Sequence, residues 1–177
     1  MNRLHIFPML NVLLVAFLFS CNKDSHDEYG LPEPTQVGKG TFACLLNGER
    51  WEPCVEECSF CPPDPKILAY HYDYRMPYIE AQQNCNGIHQ YIKILIDSVD
   101  VNNNIIGGYG VIFGNLNVNC DDYMIDTAGN NSIMITRYDA TPTGVFSGLF
   151  EFTLINKCGP KDTIRITKGR FDVTTNY

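Results

Sequence analysis

A chain of 177 residues with 45% hydrophobic content is long enough to bury a core, too short for two full-sized domains, and too apolar for a disordered tail protein. Lys and Arg number 13 against 20 Asp and Glu, and the resulting net charge of −7 excludes a phosphate backbone as the natural partner, so no nucleic-acid role is expected. Eight Cys, ten Tyr, ten Phe and fourteen Gly point to a β-rich, oxidised, exported protein.

Taken in chain order, Arg3 and His5 precede an apolar run from Ile6 to Phe19, broken by Pro8 and Asn11 and ending at Ser20-Cys21. The run is shorter than the roughly 18–20 apolar residues that cross a bilayer, and it reads as a removable secretory signal over 1–20. Leu18-Phe19-Ser20-Cys21 resembles the bacterial lipobox, which implies diacylglycerol on the thiol of Cys21, cleavage before it, and a membrane partner reached through that anchor. Twelve basic and twenty acidic residues then remain, a balance of −8. Residues 21–39 contain NKDSHDEYGLPEPTQVGK, polar and without apolar periodicity, and are expected to form a flexible tether behind the lipidated Cys21. Lys23-Asp24 with Asp27-Glu28 resembles the acidic export signals of Bacteroidota surface lipoproteins.

Residues 40–177 read as a β-domain. Thr41 to Leu46, Asn47-Gly48 and Glu49 to Trp51 form a hairpin pattern, because both turn residues accept φ > 0. Further strands are predicted at Ile67 to Tyr74, Tyr78 to Gln83, Gln90 to Asp97, Tyr109 to Phe113, Ile133 to Tyr138, Val145 to Ile155, Thr163 to Thr167 and Arg170 to Thr174. Period two is their common feature: Ile92, Ile94 and Ile96 share one face, and Tyr91, Lys93 and Leu95 the other. Ile164 and Ile166 are even whereas Phe171 and Val173 are odd, so a turn or bulge is required near Lys168-Gly169. No segment keeps a helical apolar period. The expected fold is all-β, a single-domain antiparallel β-sandwich or closed β-barrel.

Thr41-Phe42-Ala43-Cys44-Leu45-Leu46-Asn47-Gly48 with Trp51, the closing Ile166-Thr167-Lys168-Gly169-Arg170-Phe171-Asp172-Val173 and the lipobox together resemble a group of uncharacterised small Bacteroidota lipoproteins. The resemblance implies a lipid-anchored β-domain in the cell envelope, an outer-membrane lipoprotein that is periplasmic or surface-exposed. It implies no active site.

The Cys-rich loop over 53–66 carries Cys54, Cys58 and Cys61 followed by Pro62-Pro63. A redox C-x-x-C centre needs a following helix that these prolines oppose. A zinc or iron–sulfur site would borrow a fourth ligand such as Cys44 or His71, and an exported chain meets oxidant before metal. Disulfides are therefore expected, and no metal or cofactor. Cys44, Cys54, Cys58, Cys61, Cys85, Cys120 and Cys158 are the candidates, seven thiols that permit at most three bridges; Cys44, on the Phe42 side of its strand, also reads as a buried free thiol.

Asp100, Asn102 and Asn104 fit the first positions of an EF-hand, but Ile105 and Val111 stand where Gly and Glu are needed, which leaves a solvated acidic turn. Gly144 to Gly148 is one residue too long for a nucleophile elbow, and Ser147 lies within a strand, so its role is structural. Tyr70, Tyr72, Tyr74 and Tyr78 concentrate aromatic area that, if exposed, suits a glycan or an envelope protein. No complete catalytic set is present. The leading expectation is a binding or assembly-supporting module; the alternatives are an envelope polysaccharide-acting enzyme using Asp73, Glu80 or His71, and a metal-binding Cys-cluster protein. Asp97-Ser98-Val99, Asp126-Thr127-Ala128 and Asp162-Thr163-Ile164 resemble the Bacteroidota O-glycosylation triplet, which makes Ser98, Thr127 and Thr163 candidate acceptors.

Overall fold

The computed structural model describes residues 25–56, 66–72, 76–100, 105–116, 122–158 and 161–175. The signal segment, Cys21, Cys58, Cys61, Asp73, Tyr74 and Cys120 lie outside the described residues. Among those described the fold is all-β. The strands are β1 (Thr41–Leu46), β2 (Glu49–Trp51), β3 (Cys54–Val55), β4 (Ile67–Tyr72), β5 (Met76–Cys85), β6 (Ile88–Ile96), β7 (Val99–Asp100), β8 (Ile105–Ile106), β9 (Tyr109–Asn115), β10 (Asp122–Ile125), β11 (Ser132–Tyr138), β12 (Val145–Asn156) and β13 (Thr163–Thr174).

Eleven strands form one curled, half-barrel sheet in the order β2-β1-β13-β12-β10-β9-β6-β5-β3, with β11 beside β12 and β4 beside β5; β7 and β8 pair separately. All pairings are antiparallel except β3 with β5. The two ends of the path, β2 and β3, are consecutive in the chain and joined by Glu52-Pro53. Across the interior the Trp51 indole N–H of β2 donates to Gln90 Oε1 of β6 at 3.1 Å.

Asn47-Gly48 makes the expected two-residue turn, with φ of 53° and 88°. Asn86-Gly87 repeats it between β5 and β6 with φ of 53° and 74°, a hairpin that the same dipeptide signal would have marked. The parity flip in the last predicted strands is resolved by a bulge. Lys168 takes φ 52°, and the register with both neighbours slips there while β13 runs on unbroken. The bulge lets Ile164 and Ile166 before it and Phe171 and Val173 after it enter one core, with Phe42, Trp51, Ile79, Ile92, Phe113, Phe146, Phe150 and Phe152.

The segment expected to be a tether is instead docked along the outer side of β1 and β13, through contacts that run from Asp27 to Lys39. Leu31 is fully buried against Ala43 and Leu45 of β1. Asp27 pairs with Arg170 at 2.9 Å, and Arg170 also donates to the Pro32 carbonyl at 3.0 Å. The Asp172 carboxylate accepts from Thr35 Oγ1 and from the amides of Val37, Gly38 and Lys39. Composition alone did not reveal the strap, because its polar partners Arg137, Arg170 and Asp172 lie 101 or more residues away in sequence.

The cysteines divide. Cys54 and Cys85 form a disulfide with Cα atoms 5.8 Å apart, stapling β3 to the end of β5. Cys158 is also bridged. Of the two readings of Cys44, a bridge or a buried free thiol, the structure has the second: it is free and fully buried, its sulfur inside the core and its thiol pushed far up by desolvation. With Cys54 oxidised and Cys44 enclosed, the imagined three-thiolate cluster with Cys44 as fourth ligand loses two members.

Candidate functional site

Alternation sends Ile79 and Ala81 of β5 and Ile92, Ile94 and Ile96 of β6 into the core, so Tyr78, Glu80, Gln82, Tyr91 and Lys93 face outward. Antiparallel pairing then sets Glu80 opposite Lys93 and Gln82 opposite Tyr91. The Tyr78 hydroxyl donates to Glu80 Oε2, Gln82 Nε2 donates to Oε1 at 3.1 Å, and Lys93 Nζ lies 3.4 Å from Oε2. Lys93 Nζ also stands 4.5 Å over the Tyr91 ring, and the Tyr91 hydroxyl donates to Asp122 Oδ1 at 3.1 Å. The Tyr91 ring lies across Gly114 of β9, its directly paired residue, where any side chain would collide with it.

Desolvation and the neighbouring Glu80 carboxylate hold the Tyr78 phenol well above the ordinary tyrosine value. Tyr91 is raised by desolvation and by Asp122. Both hydroxyls therefore remain protonated donors at neutral pH. Glu80, Gln82, Asn84, His89, Tyr91 and Lys93 line a groove of about 280 Å³ on this face. Chemically it offers carboxylate and amide acceptors, amide and ammonium donors, and partly exposed aromatic rings, the groups that recognise a hydroxyl-rich ligand.

Of the predicted tyrosines, Tyr70 and Tyr78 are brought together, with ring centroids 4.6 Å apart and both partly exposed. They lie on the outer face, whereas Ile67 and Ala69 of β4 turn to the core side. Of Tyr72 and His71 the backbone alone is described, paired with Met76 and Pro77. Asp73 and Tyr74 fall outside the described residues. Glu80, one of the three acid–base candidates, is committed to three partners on its own face. Tyr91 and Lys93 were not among the predicted site residues. Their shared face was legible from alternation, but their placement beside Glu80 depends on strand register.

Ser98, Thr127 and Thr163 are all exposed, at the ends of β6, β10 and the start of β13. Ser147 is buried and donates to Asp172 at 2.6 Å, a structural role. Comparison with protein-family models, curated proteins and solved structures finds no match to this chain.

Proposed function

We propose that this chain is a lipid-anchored binding module of the cell envelope, held to the outer membrane through Cys21 and taking a glycan on the outer face of β5 and β6. The observation that carries the reading is the groove in which Glu80, Gln82, Tyr91 and Lys93 meet on neighbouring strands. Aromatic area flanked by paired charges and amides favours sugar hydroxyls over an apolar partner. Leu18-Phe19-Ser20-Cys21 supports the anchor. Consecutive β2 and β3 at the two ends of the strand path, with Trp51 bonded across to Gln90, favour a single barrel-like domain over a sandwich.

The acid–base alternative gains nothing from Glu80, whose oxygens already accept from Tyr78 and Gln82 and pair with Lys93. The test is titration of envelope polysaccharide fractions against wild type and Tyr91→Ala, with membrane fractionation of Cys21→Ala alongside. Expected are roughly tenfold weaker binding for folded Tyr91→Ala, a change of about 1.4 kcal/mol, and release of Cys21→Ala from membranes. Undiminished binding by Tyr91→Ala removes the groove from the function. Retention of Cys21→Ala after alkaline washing removes the anchor.

A further inference from the structure

The docked strap changes how far an anchored domain can move from its membrane. Were residues 21–40 a free tether, the twenty Cα steps from Cys21 to Thr41 would reach ~70 Å at full extension. The first described strap residue bonded to the sheet is Asp27, on Arg170, and from Cys21 to Asp27 there are six steps and a reach of ~21 Å at most.

Two clamps hold the strap. At its start, the Asp27 carboxylate accepts from the amides of Tyr29 and Leu31 and pairs with Arg170, while Leu31 is buried completely and Lys168 Nζ stands 4.0 Å over the Tyr29 ring. At its end, Asp172 gathers Thr35 and the amides of residues 37–39, and Arg137 donates to the Gln36 carbonyl at 2.7 Å. Ser25 and His26 of the strap form one wall of a cleft of about 550 Å³ whose other walls include Glu33, Phe42, Glu52 and Lys66.

We propose that the anchored domain rests with this strap side, and the mouth of this cleft, against the headgroup layer of the bilayer that holds Cys21. The proposal depends on the lipid-anchor reading above. Its consequence is directional. In the sheet order β12, β10 and β9 separate the strap-bearing β13 from β6, so in a curled sheet the Glu80–Tyr91 face lies on the far side and is presented away from the membrane. A fixed orientation replaces the free swivel that a long polar tether would allow.

The experiment uses the full acylated protein in nanodiscs containing a lipid with a gadolinium-chelate headgroup, read by paramagnetic broadening of assigned backbone amides. Broadening severalfold stronger at Ser25, His26, Glu33 and Lys66 than at Tyr91 and Met124 is expected. A second sample carrying Asp27→Asn with Asp172→Asn, which loosens both clamps while sparing the core, should lose that contrast. Uniform broadening in the wild type, or broadening strongest at Tyr91, overturns the orientation. Intact mass of the same sample separates the two failures: a chain without diacylglycerol overturns the anchor and the orientation together, whereas an acylated chain with uniform broadening overturns the orientation alone.

Discussion

Asp172 is an acid on the outer side of a strand, yet it is 1% exposed because the strap covers it. Burial alone would raise its pKa, but hydrogen bonds from Ser147, Thr35 and the amides of Gly38 and Lys39 outweigh desolvation and hold the carboxyl below its ordinary value. Asp27 is likewise lowered: desolvation is exceeded by the amides of Leu31 and Tyr29 and by Arg170. A carboxyl whose folded pKa lies below its unfolded one stabilises the fold above the unfolded value of about 4 and loses that contribution as pH falls through the folded value. The strap is therefore expected to stay docked at neutral pH and to detach in acid below about pH 4, visible as new tryptic cleavage after Lys39 in protein briefly acidified, or as the collapse of amide protection at Leu31. Asp172→Ala leaves the Ser147 and Thr35 hydroxyls and three amides without their acceptor, and at roughly 1–3 kcal/mol for each group that stays dry, partly relieved by water, a loss of about 3–5 kcal/mol is expected in urea unfolding. A loss under 1 kcal/mol would show that the hub contributes little.

At the scale of elements, the short strands need outside support. β3 has two residues and one partner strand, too few hydrogen bonds to hold the Cys-rich loop against its own entropy. The Cys54–Cys85 bridge supplies the constraint, closing a separation of 31 residues in the unfolded chain. Loop-closure entropy puts that near 3–4 kcal/mol, so the double variant Cys54→Ala with Cys85→Ala should unfold at correspondingly lower urea. An unaltered midpoint would mean that β3 is held by its neighbours without the bridge. The bulge at Lys168 serves β13 in another way. Without it every side chain after position 168 would face the wrong side, and Arg170 and Asp172 would enter the core that Phe171 and Val173 now fill.

For the whole molecule, protection should follow position in the sheet. β12 and β13 are each 12 residues long and are paired on both edges, β13 by β1 and β12, and β12 by β13 on one side and β10 and β11 on the other. β2 and β3 end the path, and among the described residues β7 and β8 pair only with each other. Native-state hydrogen exchange should find the slowest amides in β12 and β13 and faster ones in β2, β3, β7 and β8. Exchange in β13 as fast as in β3 would mean that the curled sheet opens from its centre instead of its ends.

Alternation and turn chemistry were local, and they determined the β class, the hairpin at Asn47-Gly48, the core face of β6 and the break in parity at Lys168-Gly169 from the sequence alone. The period of two belongs to the strand itself, so no partner need be known to read it. Strand order, the free state of Cys44, the choice of Cys85 as partner for Cys54 and the meeting of Glu80 with Tyr91 and Lys93 were decided only by tertiary pairing. Each depends on which residues distant in sequence lie side by side, and composition carries no such information. The strap shows the difference most plainly. A polar, proline-bearing stretch cannot order itself, and it is ordered here because Arg170 and Asp172 at the far end of the chain offer the charges and acceptors that its own residues lack.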